Sequence, residues 1–143
     1  GDIVADGIHQ QGWDGHFPKG QILSEQLVVP EQLPAWLTQE DLDLYVREIT
    51  ASGFSGGFNW YRNIKRIPGL RAPFVGATIK QPSLYLYGEY DLVAGNTPEA
   101  IQTLKDSLPN LLSCVRFQGA GHWLQQERAE EVNDELLTFL NGL

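Results

Sequence analysis

In Leu84-Tyr85-Leu86-Tyr87-Gly88-Glu89-Tyr90-Asp91, a run of strand-forming residues stops at a glycine and is followed by an acid. A second strand-like run, Cys114-Val115-Arg116-Phe117, leads into Gly119-Ala120-Gly121-His122-Trp123. The residues between the two runs predict a helix, and a strand, helix, strand unit is almost always a right-handed crossover with parallel strands. We therefore expect Asp91 and His122 to be neighbours at the carboxyl edge of a parallel sheet, where open α/β folds carry their chemistry.

The composition is that of a globular domain. Of the 143 residues, 42% are apolar and 20% are charged, and the net charge is −8. This charge argues against nucleic acid and anionic membrane surfaces as partners, and a small or uncharged substrate fits better. No apolar run is long enough to span a membrane and the first residues lack the parts of a signal peptide, so we expect a cytoplasmic protein. The single cysteine, Cys114, is expected to be a small buried apolar residue of a strand.

Helical segments flank a proline-rich connector at residues 67–82. Residues 1–37 are expected to be loop, and His9 and His16 within them are better explained as solvated loop histidines than as metal ligands. Four helices are predicted, over about residues 40–49 after an N-cap at Thr38, 59–66, 98–108 after an N-cap at Thr97, and 128–141. Val132, Leu136, Phe139 and Leu140 are expected to form the buried face of the last helix.

Asp91 followed by His122 fits a known catalytic pairing. A carboxylate that holds the imidazole in one tautomer and stabilises the imidazolium makes histidine an effective general base. The alternative is that Asp91 only closes a turn and His122 is an ordinary loop residue. In α/β-hydrolases a nucleophile precedes the acid and the histidine. Gly53-Phe54-Ser55-Gly56-Gly57 matches G-x-S-x-G, but it follows a predicted helix rather than a strand, so a glycine-rich turn between helices is the better interpretation of Ser55.

Three motifs resemble the soluble epoxide hydrolases over a region from about Pro30 to the C-terminus. The first, Ser52-Gly53-Phe54-Ser55-Gly56-Gly57-Phe58-Asn59-Trp60-Tyr61-Arg62-Asn63, is similar to the lid segment of that family. The second, Gly121-His122-Trp123-Leu124-Gln125-Gln126-Glu127, is similar to its histidine motif, and the third, Gly88-Glu89-Tyr90-Asp91, to its acid loop.

The resemblance implies the C-terminal part of an α/β-hydrolase fold, a parallel strand-helix-strand-helix unit at 79–143, preceded by a helical lid segment at 1–78. It implies that Tyr61 is one of two lid tyrosines that hold and protonate the epoxide oxygen. It further implies that His122 activates water and that Asp91 orients it. The substrate pocket would include Trp60, Trp123 and Phe58, and the substrate would be a small apolar epoxide, with no cofactor and no metal.

Nothing in the sequence matches the family's aspartate nucleophile, its oxyanion loop or its first lid tyrosine. The chain therefore looks like the second half of an epoxide hydrolase and is expected to be inactive unless completed. Because a parallel sheet of two strands does not stand alone, we expect association with an N-terminal half, self-association, or a nicked enzyme. The alternatives are a dehalogenase acting on haloalkanes or fluoroacetate, which shares the aspartate and the histidine, and a non-catalytic binding fragment.

Overall fold

The computed structural model of the protein describes residues 19–20, 31–91 and 97–143. The expectations for His9 and His16, and for most of the loop at 1–37, lie outside these residues. The first described helix, α1, spans Gln39–Ser52. Thr38 and Asp41 form the predicted cap in full, because Thr38 Oγ1 accepts from Asp41 N and Asp41 Oδ2 accepts from Thr38 N, both at 3.1 Å. The helix ends at Gly53, whose φ of 69° favours glycine.

The helical part of the predicted lid segment is longer than the sequence indicated. Helix α2 spans Ser55–Arg62, whereas the prediction began at Asn59, and a 3₁₀ turn over Ile64–Arg66 follows it. The predicted connector then begins with helix α3, Ile67–Arg71, and a second 3₁₀ turn, Ala72–Phe74. Prolines do not prevent either element, because each proline lies in the first turn, where its missing N–H has no helical partner to lose.

Strands β1, Ser83–Gly88, and β2, Leu111–Phe117, pair in parallel, with Gly88 opposite Phe117 at their carboxyl ends. The crossover helix α4, Pro98–Ser107, is capped by Thr97, whose hydroxyl accepts from Ala100 N at 3.2 Å. The predicted parallel strand, helix, strand unit is thereby confirmed. Cys114 is only half-buried in β2, so the prediction of a buried cysteine was wrong in degree.

The core is small and lies beneath the carboxyl end of β2. In the part of the chain that the structure describes, it is formed by the buried apolar residues Phe117, Ala120, Leu124 and Val132, with Leu86 and Val115 packed against them. Helices α5, Leu124–Glu127, and α6, Ala129–Asn141, close this core from one side. Of the predicted buried face of α6, Val132 is 4% exposed, but Leu136 and Leu140 are 41% and 58% exposed. The prediction is therefore confirmed for Val132 and in part for Phe139, which is half-buried, but it was wrong for Leu136 and Leu140, which the described residues leave exposed.

No helix in residues 31–91 and 97–143 is long and apolar enough to cross a membrane.

Candidate active site

Asp91 stands at the end of a tight turn that follows β1. Its N–H donates to Gly88 O at 3.3 Å, so Gly88 and Asp91 are the first and last residues of the turn. The two intervening residues extend the pairing with the loop after β2, because Glu89 N donates to Phe117 O at 3.0 Å and Tyr90 N donates to Ala120 O at 2.9 Å. The backbone thus ties the acid loop to the loop at residues 118–123, between β2 and Leu124, which we call the histidine loop.

Glu89 joins the same two loops through its side chain. One carboxylate oxygen accepts from Gly119 N at 2.9 Å and the other pairs with Arg116 Nη2 at 2.7 Å. Gly119 has a φ of 69°, which lets the chain reverse directly after β2. The turn at Gly119 directs the chain back toward the end of β1, where Asp91 lies.

His122 and Asp91 form the predicted pair. His122 Nδ1 lies 3.1 Å from Asp91 Oδ1, across a separation of 31 residues along the chain. The side chain of His122 is 49% exposed, whereas that of Asp91 is 12% exposed. An ionised Asp91 can only accept, so the neutral imidazole must carry its proton on Nδ1. Nε2 is then left as the basic nitrogen of a ring that faces outward from the sheet edge.

Tyr85 lies on β1, near enough to Asp91 for that carboxylate to act on its phenol. Burial raises the pKa of the Tyr85 phenol, and the negative charge of Asp91 adds to that effect. Its ring stacks on that of Tyr87, with the two centroids 5.6 Å apart. Because both causes disfavour the phenolate, Tyr85 remains neutral near Asp91 and adds no second negative charge to the site.

Glu127 is a member of the site that the sequence did not reveal. Its carboxylate accepts from the backbone N–H of Gly121 at 2.6 Å and from that of Trp123 at 2.9 Å, so it spans His122 from one side to the other. The sequence motif at residues 121–127 did contain a signal for this contact. An acid one turn after the start of a short helix can reach back to the N-cap N–H, as in a capping box.

The aromatic residues of the predicted substrate pocket are distributed between the lid segment and the histidine loop. Trp123 meets the His122 ring edge-on, with centroids 5.2 Å apart and planes at 70°. On α2, Phe58 stacks on Phe54 at 5.6 Å. Tyr61, Trp60, Phe58 and Trp123 are 68%, 77%, 51% and 54% exposed, respectively. The described residues therefore do not enclose a pocket around them, and their roles in binding stay predictions.

A hydrogen bond between described residues links α1, in the predicted lid segment, to α5, which follows His122. Gln126 Nε2 on α5 donates to the hydroxyl of Tyr45 on α1 at 2.6 Å, although the two residues are 81 positions apart in the chain.

Among residues 31–91 and 97–143, no group of three or more histidine, cysteine, aspartate or glutamate side chains could hold a metal ion.

Comparison with known proteins relates this arrangement to one family. No protein-family model matches the chain. Epoxide hydrolase A of Mycobacterium tuberculosis is 45% identical over 121 residues, which are 83% of this chain and 36% of that protein. The crystal structure of epoxide hydrolase A from Mycobacterium thermoresistibile is 45% identical, with a TM-score of 0.71 over 83% of this chain and 37% of that one. Epoxide hydrolase I of Solanum tuberosum is 34% identical, with a TM-score of 0.79 over 90% and 41%.

The chain thus spans little more than a third of the length of its curated relatives, and the matched region is their C-terminal part. Its strand, helix, strand, helix unit corresponds to that region of the α/β-hydrolase fold. By sequence and by fold, the chain belongs to the epoxide hydrolase family and corresponds to the C-terminal part of its members.

Proposed function

We propose that this chain supplies the water-activating part of an epoxide hydrolase, which opens an epoxide to a vicinal diol through an alkyl-enzyme ester. The observation that carries the proposal is the 3.1 Å contact between His122 Nδ1 and Asp91 Oδ1 at the carboxyl ends of two parallel strands. Asp91 is the more buried partner and His122 the more exposed one, which suits an orienting acid behind a base that must reach a water molecule.

The chemistry follows in two steps. A carboxylate nucleophile attacks an epoxide carbon, the ring C–O bond breaks, and the departing oxygen takes a proton from a tyrosine, a role that we assign to Tyr61. Nε2 of His122 then removes a proton from water as the water oxygen attacks the ester carbonyl. Cleavage of the acyl C–O bond then releases an alkoxide, which takes the proton of the new carboxyl group, so that the diol leaves and the carboxylate is regenerated. Asp91 stabilises the imidazolium until the proton that His122 took from water returns to the Tyr61 phenolate, which restores both side chains.

The nucleophile is proposed to come from an upstream half with the chemistry of the relatives' N-terminal part. The large apolar side chains exposed in this chain support such a partner. Trp60 is 77% exposed, and Leu70, Phe74 and Val75, in and after α3, are 70%, 70% and 85% exposed. Burying apolar surface stabilises by roughly 25 cal/mol per Å². A partner that covered these residues would therefore gain a substantial driving force, and it would also cover the open sheet of two strands.

Reconstitution tests the proposal. The chain is co-expressed with, or fused behind, the N-terminal part of epoxide hydrolase A of Mycobacterium tuberculosis, which is 45% identical over the matched region. We expect a stable complex and conversion of a styrene-oxide-type substrate to its diol, whereas the chain alone should show neither. Size-exclusion chromatography with light scattering and a diol assay are the measurements. Self-association of the chain without the upstream half would contradict the proposed partner.

Two variants separate the steps of the reaction. In His122→Gln the ester should form but not hydrolyse, so intact mass spectrometry should show the nucleophile-bearing half heavier by one substrate molecule. Tyr61→Phe should slow formation of the ester, because it removes a proton donor. Tyr87→Phe serves as a matched control, since Tyr87 lies within β1 rather than on the lid segment. Full turnover by His122→Gln would refute the proposed function.

A further inference from the structure

The carboxylate of Glu127 is bonded to the main chain on both sides of His122. Oε2 accepts from Gly121 N at 2.6 Å and Oε1 accepts from Trp123 N at 2.9 Å. Both are charge-assisted hydrogen bonds, which are shorter and stronger than those between neutral groups. One rigid planar group therefore holds two peptide units, and His122 is the residue between them.

These two bonds restrict the part of the backbone that aims the imidazole. Because peptide units are planar, the conformation between the Gly121 and Trp123 amides depends only on the φ and ψ angles of Gly121 and His122. The segment is also anchored at its ends, since Ala120 is 0% exposed and Leu124 is 5% exposed. Holding the two amides on one carboxylate thus restricts the directions in which the His122 side chain can leave the main chain.

An N-cap alone would not need this arrangement. Helix α5 has only four residues, and Trp123 is its N-cap, so one bond to Trp123 N would satisfy the cap. The shorter of the two bonds goes instead to Gly121, on the far side of His122, where the amide is buried. A buried N–H without an acceptor is costly, so Glu127 supplies the acceptor that the Gly121 N–H needs and also caps helix α5 at Trp123.

We propose that Glu127 is a positioning residue for His122, which holds the imidazole at hydrogen-bonding distance from Asp91 by bridging the amides of Gly121 and Trp123. As a contribution to catalysis this inference rests on the proposed function. The structural part of the inference, that Glu127 holds the backbone around His122, can be tested without measuring turnover.

Glu127→Gln is the informative change, because it preserves shape but replaces one acceptor oxygen with an NH₂ group. Because each backbone N–H donates to a different carboxylate oxygen, one of them would face the NH₂ group of glutamine, which cannot accept. Glu127→Asp keeps both acceptors and the charge on a shorter side chain. Glu130→Gln is the matched control, since Glu130 is exposed in the first turn of α6 and Gln there also removes one charge.

The first readout is NMR on the isotopically labelled chain, alone or bound to an unlabelled upstream half. In Glu127→Gln, the amide protons of Gly121 and Trp123 should shift upfield, and the His122 ring signals should move. Glu127→Asp should restore them in part, and Glu130→Gln should leave them unchanged. Unchanged Gly121 and Trp123 amides in Glu127→Gln would overturn the proposal.

If Glu127→Gln fails to fold, the unaltered chain provides the test, because a hydrogen bond transmits a scalar coupling between the atoms on its two sides. NMR should show such couplings from the Gly121 and Trp123 amide nitrogens to the carboxyl carbon of Glu127. Absence of these couplings would overturn the proposal.

The second readout is turnover by the reconstituted enzyme. Glu127→Gln should lower kcat about tenfold and leave KM within about twofold, because the loss affects the orientation of the base and not substrate binding. Glu127→Asp should recover part of kcat. Absence of turnover in the unaltered enzyme would refute the proposed function but leave the NMR result to decide the positioning role. An unchanged kcat in Glu127→Gln would refute the contribution to catalysis.

Discussion

Gly88, the last residue of β1, lies against the carbonyl of Gly121, the residue before His122. A Cβ built on Gly88 would overlap that oxygen and would come within 2.6 Å of Ala120 O. Real Cβ atoms do not approach backbone oxygens so closely, so position 88 can hold only glycine while the histidine loop keeps this path. The close approach also accounts for the hydrogen bond from Tyr90 N to Ala120 O, which crosses at the same point.

Gly88→Ala is therefore expected to displace the histidine loop. The backbone carbonyls that oppose the new methyl group cannot rotate away as a flexible side chain could. We expect the free energy of unfolding to fall by about 1–3 kcal/mol, as for other overpacked sites, and turnover by the reconstituted enzyme to fall with it. Urea denaturation followed by tryptophan fluorescence measures the first effect and a diol assay the second.

Gly57→Ala provides the comparison. Gly57 lies within α2, and a Cβ there would meet nothing within 4 Å. Alanine should therefore leave the free energy of unfolding unchanged or raise it by up to about 1 kcal/mol, because it has the higher helix propensity. Equal effects of the two substitutions would show that the contact at Gly88 is not restrictive.

The sequence was sufficient to predict the placement of Asp91 and His122, because parallel pairing and chain order follow from local patterns and from the handedness of the crossover. It was sufficient also for the caps at Thr38 and Thr97, which depend on residues three positions apart. It was not sufficient for the start of α2, where Gly56 and Gly57 suggested a turn. Glycines in a first helical turn weaken a helix without forbidding it.

The contacts that hold the histidine loop were harder to predict for a different reason. Glu89 reaches Gly119 across 30 residues, and the tight fit at Gly88 depends on the path of a loop that is distant in sequence. Such contacts leave no periodic signal. The exposure of Leu136 and Leu140 was missed likewise, because an apolar stripe identifies a face that needs cover but not the element that covers it.

Asp91→Asn is expected to lower kcat while preserving the fold. Asparagine fills the same space, but it lacks the charge that stabilises the imidazolium and it can present an NH₂ group to His122 Nδ1. General base catalysis contributes about 10²–10⁴-fold, so a loss of kcat within that range is expected in the reconstituted enzyme, with KM nearly unchanged. Steady-state kinetics on the epoxide provide the measurement.

Asp106→Asn is the matched control for that substitution. Asp106 lies on α4, and its carboxylate accepts from Gln102 Nε2 at 2.9 Å within the same helix. Both kinetic constants should stay close to those of the unaltered enzyme. A comparable fall in kcat for Asp106→Asn would mean that the effect at Asp91 reports general destabilisation and not the loss of an orienting acid.

The hydrogen bond between Tyr45 and Gln126 is expected to couple the lid segment to the histidine loop. Tyr45→Phe and Gln126→Ala each remove one partner of this 2.6 Å bond. Because the bond is exposed, each loss should be small, and a double-mutant cycle should give a coupling free energy of about 0.5–1 kcal/mol. Urea denaturation of the unaltered chain, the two single variants and the double variant measures this coupling free energy. A control cycle that pairs Gln125→Ala with Tyr45→Phe should give no coupling. Additive effects of Tyr45→Phe and Gln126→Ala would contradict the coupling.

The capping box at the start of α1 is expected to make that helix sensitive to acid. Hydrogen bonds from the Thr38 side chain and backbone lower the pKa of Asp41 below its ordinary value of 3.8. A lowered pKa in the folded state means that the stabilisation is fully present above pH 3.8 and is lost as the pH falls through the folded-state pKa. The first turn of α1 should therefore fray at a pH below 3.8, which amide and Cα chemical shifts of Gln39 to Leu42 would report. Asp41→Asn should abolish this acid-dependent step, since asparagine does not ionise. Asp43→Asn should retain it, because the Asp43 carboxylate accepts from Gln39 Nε2 and not from Thr38. Persistence of the step in Asp41→Asn would show that a group other than the cap controls the acid response of the helix.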